Sequence, residues 1–147
     1  RRTNHWRDRT EALRYLLSRP LFARWDREVL DLYVTHGMIE NEGGLSLACS
    51  PEQEAALFMG GMGYNPWPLL PAVSCPVLVV EGATSENRHF IDLAEVVSAL
   101  PQGSYRLVTA GGHLLPMEQP ENMAGIIEDF FRKFHSDTKN DGYREPE

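Results

Sequence analysis

The amino-acid sequence predicts an α/β layer fold, the edge of a mostly parallel sheet with a helical region in front of it. Two compact runs carry the sheet: PVLVVEG, bounded by Pro76 and Gly82, and YRLVT at Tyr105 to Thr109. The third observation is the order strand, helix, strand, helix, which places the two strands parallel.

The elements follow in chain order. Ala12, Leu13, Leu16 and Leu17 recur at helical spacing until Pro20 interrupts them. A second helix starts near Asp26 as cap, shows Val29, Leu30, Tyr33 and Val34 on one face, and ends at Gly37. ENEGG breaks that pattern, so the first half is expected to be short helices rather than sheet. SPEQEAALF restarts a helix with Ser50 as cap, Pro51 in the first turn and Gln53 in the reciprocal position. Gly60 to Pro76 is rich in Gly and Pro and is expected to be an irregular connection. Between the two strands, Phe90, Leu93, Ala94, Val97 and Leu100 form an approximate stripe closed by Pro101, with Asp92 inside the helix. The last helix opens at Pro120, and Met123, Ile126, Ile127, Phe130, Phe131 and Phe134 make a wide apolar stripe. Residues 135–147 are polar and aperiodic and are expected to form a loose tail.

Composition narrows the functional classes. With 147 residues the chain has the length of one domain, and 14 Lys plus Arg against 21 Asp plus Glu leave a net charge of -7, which does not favour a nucleic-acid partner. No apolar run approaches the ~20 residues needed to span a bilayer. Cys49 and Cys75 stand outside any CxxC unit and are expected as a reduced interior pair. The histidines form neither HxH nor HExxH, and no Gly-rich phosphate loop follows a strand, so cofactor-free and metal-free chemistry is expected.

The most informative stretch is YRLVTAGGHLLPMEQPE. A strand ends, two glycines permit a tight turn, and His113 follows at the end where ligands collect in open α/β sheets. An imidazole there can accept and return a proton, the alternative being a histidine that staples the loop. CPVLVVEG followed by ALPQGSYRLVTAGGHLLPMEQPENMAGIIEDFFRKF resembles the last two strands, histidine loop and final helix of the α/β-hydrolase fold. Thr10 to Phe58 resembles the lid of cap-bearing members. The resemblance implies a helical lid region over residues 1–50, a returning helix and connection over 51–76, and the C-terminal part of the core over 77–134.

It also implies that His113 is catalytic and that a serine in a G-x-S-x-G elbow is its nucleophile. That pentapeptide does not occur in this sequence, and Ser46, Ser50, Ser74 and Ser85 lack its context. Two strands alone do not make a buried sheet, and no convincing third or fourth is visible. The chain is therefore expected to be a C-terminal half, incomplete without an N-terminal segment that arrives as a separate or cleaved chain and carries the nucleophile. The activity expected of the pair is serine-dependent hydrolysis of a small, apolar, ester-like substrate, with the chain inactive alone. An aspartate nucleophile acting on epoxides or haloalkanes, or a non-catalytic binding module, are the alternatives. For the acid that orients His113, EGATSENRHF offers Ser85 where an aspartate is usual and Glu86 one residue later. Glu86 is the expected acid, ahead of Glu81 and Asp92, unless it only starts a helix or the acid lies upstream. Phe22 and Trp25, between the first helices, are the candidate lid contacts to substrate.

Overall fold

The computed structural model describes residues 3–61 and 63–135. β1 (His5–Trp6) leads into α1 (Arg9–Leu17), whose first turn is closed by the Asp8 carboxylate accepting from the Glu11 amide at 2.8 Å. α2 (Pro20–Ala23) is a single turn opened by proline, and α3 (Arg27–His36) is capped by Asp26, which accepts from the Glu28 and Val29 amides at 2.9 and 3.2 Å. The Gly37 amide closes α3 on the Tyr33 carbonyl at 2.8 Å. Ala12, Leu16, Leu30 and Val34 are the buried stripes of these helices, as their spacing predicts.

The expectation of helices without sheet in this half needs correction. ENEGG is the turn of a hairpin between β2 (Met38–Asn41) and β3 (Gly44–Leu47), and β1 adds to the far side of β3 in an antiparallel sheet ordered β1-β3-β2. Gly44 makes this possible: its φ is +130°, and a Cβ there would stand 2.3 Å from the Trp6 carbonyl oxygen. Met38, Leu45 and Leu47 point into one core with Trp6, Leu16, Phe22, Trp25, Leu30 and Val34.

α4 (Pro51–Gly61) begins with the expected reciprocal cap, Ser50 N–H to Gln53 Oε1 at 2.8 Å and Gln53 N–H to Ser50 Oγ at 3.2 Å. It runs on through Gly60, and Trp67–Ala72 forms a 3-10 helix, so the connection is less irregular than its Gly and Pro content suggests. Cys49 and Cys75 are free thiols, both exposed, not an interior pair.

β4 (Val77–Gly82) and β5 (Gly103–Val108) pair in parallel, in register from Val77↔Gly103 to Gly82↔Val108. Their crossover contains a 3-10 turn at Glu86–His89 and a short α5 (Leu93–Ser98). Asp92 precedes α5 and caps it, accepting from the Ala94 and Glu95 amides at 2.9 and 3.3 Å, while Phe90 lies outside the helix and is exposed. After β5 come α6 (Leu115–Glu118) and α7 (Pro120–His135), where Ile126 packs with Val108 and Leu115 in a second core. Ile127, Phe131 and Phe134, expected on a covered stripe, are exposed.

Among the described residues the chain thus holds five strands in two sheets rather than two strands alone. The fold class is corrected on this point: strands three to five exist, but in a small antiparallel sheet fused to the helical region. Residues 136–147 of the expected polar tail lie outside the described residues.

Candidate active site

The site is built on a contact between two backbones. A Cβ on Gly82, the last residue of β4, would lie 2.2 Å from the Gly112 oxygen and 2.4 Å from the Gly111 oxygen. Only glycine lets the strand end and the loop after β5 meet this closely. Ala83 N–H donates to the Val108 carbonyl at 2.9 Å, and Thr84 donates to the Gly111 carbonyl from both its amide and its hydroxyl, each at 2.9 Å. Gly111 and Gly112 are buried, and the turn they form presents His113 to solvent.

Glu118, at the end of α6, returns to the same turn. Its side chain is 8% exposed, and its carboxylate accepts from the Gly112 amide at 2.9 Å and pairs with Arg24 Nη2 at 2.9 Å. Arg24 belongs to the connection between α2 and α3, so the helical region touches the histidine loop directly. The Asp26 amide adds a second link, donating to the Met117 carbonyl at 2.8 Å.

On the other side of His113, Asn87 Nδ2 lies 3.2 Å from His113 Nε2. The Asn87 side-chain amide is thus the ring's hydrogen-bonding neighbour at Nε2. The 3-10 turn carrying Asn87 is anchored by its neighbour: Arg88 Nη1 donates to the buried Glu81 at 3.0 Å. Glu81 also accepts from the Tyr105 hydroxyl. That hydrogen bond, reinforced by burial, raises the phenol above its ordinary range.

Two cavities meet at the imidazole. One, of about 330 Å³, is bordered by Val80, Ser85, Asn87, Leu115 and Met123 as well as His113. The other is bordered by Pro20, Leu21, Arg24, Glu86 and Glu118, again with Asn87 and His113. Glu86 therefore stands in a cavity with His113, but among the described residues no hydrogen bond or ion pair joins them; the ring's partner is Asn87. Glu81 is engaged by Arg88 and Tyr105, and Asp92 is a helix cap. Phe22 and Trp25 are each 9% exposed and stack on one another at 4.9 Å, with Tyr33 against Trp25 at 5.4 Å. They belong to the helical core, and Pro20 and Leu21 line the cavity in their place. Ser50 caps α4, Ser46 accepts from Asn41 Nδ2 at 2.8 Å, and Ser85 borders a cavity with His113.

The sequence gives little warning of Asn87, Arg24 or Glu118. Glu118 lies within the histidine-loop segment and Asn87 next to Glu86, but neither signal distinguishes a partner from a solvated neighbour.

No family model matches this sequence, and no curated protein matches it. Solved structures do. The fold is similar to the crystal structure of E-2-(acetamidomethylene)succinate hydrolase, at 22% identity and a TM-score of 0.75, over 88% of this chain and 47% of that one. It is also similar to the thioesterase domain from the curacin biosynthetic pathway, at 17% identity and a TM-score of 0.66, over 86% of this chain and 46% of that one. This chain spans about half the length of each.

These matches correct the expectation of a C-terminal half assembled with a separate or cleaved N-terminal chain. The likeness runs through 88% and 86% of this chain, and in each solved structure the matched elements belong to one polypeptide. The heterodimer, the serine assigned to its missing member and the activity conditional on pairing go with it. At these identities the likeness is one of architecture.

Proposed function

We propose that the protein carrying this chain hydrolyses an acyl bond of ester or thioester type, with His113 as its proton-transfer group. The observation that carries this reading is the placement of an exposed imidazole, on a rigid Gly-Gly turn beyond the carboxyl end of β5, where two cavities meet. The names of the two similar structures, a hydrolase and a thioesterase domain, support the reaction class.

In the reaction the attacking O–H gives its proton to the imidazole as its oxygen bonds to the carbonyl carbon. The bond to the leaving alkoxide or thiolate then breaks, and that atom takes the proton from the imidazolium. Asn87 orients the ring through its contact at Nε2. Glu86, in the same cavity, is the carboxylate that stabilises the imidazolium while its proton passes to the leaving group. Leu21 and Pro20 offer apolar surface to the acyl group.

The test compares the protein with its His113→Ala variant on p-nitrophenyl acetate and on a short acyl thioester. Loss of a proton-transfer group lowers kcat by about 10²–10⁴-fold. Unchanged turnover in the variant defeats the assignment of His113, and absence of turnover in the parent leaves a binding module. Glu86→Gln tests the acid separately, and a near-normal rate removes it.

A further inference from the structure

We propose that Arg24 is a positioning residue for His113, acting through Glu118 and Thr84. The proposal rests on His113 being the proton-transfer group. Arg24 does not contact the imidazole; it grips both sides of the turn that carries it. Its Nη2 pairs with Glu118 at 2.9 Å, and Glu118 holds the Gly112 amide at 2.9 Å. The same Nη2 donates to Thr84 Oγ1 at 3.1 Å, whose hydroxyl donates on to the Gly111 carbonyl at 2.9 Å. The Gly111–Gly112 peptide group, one bond before His113, is thereby tied at both its C=O and its N–H, through one side chain each, to a single guanidinium from the helical region.

The chemistry favours this arrangement over a surface ion pair. The Glu118 side chain is 8% exposed, so its charge has lost most of its water and depends on the Gly112 amide and Arg24 for compensation. Space is as tight as the bonding: a Cβ on Gly112 would meet Glu118 Oε1 at 2.3 Å and Arg24 Cζ at 2.9 Å. The turn can shift only if that stack loosens. Nη2 carries two N–H donors fixed in the guanidinium plane, enough for both acceptors, whereas the donors of an ammonium rotate freely. Arg24 also borders the cavity shared with His113, so the orientation of the ring is coupled to the seating of the α2–α3 connection.

The experiment uses Arg24→Ala and Arg24→Lys, with His113 ring resonances assigned by their loss in His113→Ala. In Arg24→Ala the Gly112 amide is expected to exchange at least tenfold faster and the His113 ring resonances to move at fixed pH, while those of His5, His36 and His89 stay in place. On p-nitrophenyl acetate, kcat falls with KM little changed, and Arg24→Lys recovers part of the loss. Unchanged Gly112 exchange and unchanged His113 resonances in a folded Arg24→Ala protein overturn the proposal. If that variant does not fold, Thr84→Val, which removes only the Gly111 branch, gives the same reading on the His113 resonances. Displaced resonances together with turnover indifferent to His113→Ala would bring down the hydrolase reading and leave the positioning role standing.

Discussion

Replacing Gly82 with Ala puts a methyl group where two carbonyl oxygens already stand. The nearest, on Gly112, would be 2.2 Å from the new Cβ and the next, on Gly111, 2.4 Å; ordinary contact begins at 3.4 Å. The strand end and the loop must therefore separate by about 1.2 Å, and both obstacles are backbone, which cannot rotate away as a side chain would. Three hydrogen bonds span the same seam at 2.9 Å: Ala83 N–H to Val108, and the Thr84 amide and hydroxyl to Gly111. Stretched by that amount they fall outside hydrogen-bonding distance, at about 1 kcal/mol each. Adding about 1–3 kcal/mol for overpacking gives a destabilisation of about 4–6 kcal/mol, a large part of the 5–15 kcal/mol typical of a domain. Equilibrium urea unfolding reads it as a fall in midpoint of about 2 M or more, with His113-dependent turnover lost in the same variant. A midpoint within about 0.3 M of the parent would refute the claim that β4 and the histidine loop are locked backbone to backbone.

Two other perturbations test parts of the structure away from the reacting group. Leu30, 1% exposed in the helical core, should cost about 2–5 kcal/mol as Leu30→Ala, measured by chemical unfolding, and a cost under about 1 kcal/mol would mean that this core is not packed as described. The Tyr105 phenol is raised above its ordinary 10.0 mainly by its hydrogen bond to Glu81. Above pH 10 the unfolded chain loses that proton while the folded chain keeps it, so the contribution is complete below pH 10 and is lost as pH climbs through the raised value. Stability followed against pH should show an alkaline decline that Tyr105→Phe lacks, and parallel curves would contradict the Glu81 contact.

Helices were legible where their ends announced themselves. Asp26, Ser50 with Gln53, and Gly37 do in the structure what their spacing predicts, because a cap is a bond between residues two to four apart. The antiparallel sheet was hidden for the opposite reason. Its strands are two to four residues long, and β1 pairs with β3 across about forty residues of chain, Trp6 to Leu45, a contact without local sequence pattern. Phe22 and Trp25 show the same limit for side chains: as aromatic residues in a turn they suit a substrate roof, yet the helices around them close inward and bury both.

The β-α-β order, the glycine turn and the position of His113 just past a strand could all be read along the chain, since each depends on residues adjacent in it. What the imidazole meets is set by packing between distant segments. Glu86 and Asn87 are neighbours, and the Arg88 bond to Glu81 on β4 sets the turn in which Asn87, rather than Glu86, comes to the ring. Arg24 reaches Glu118 from 94 residues away for the same reason: Glu118 is withdrawn from water, and its charge needs a cation that only folding can bring.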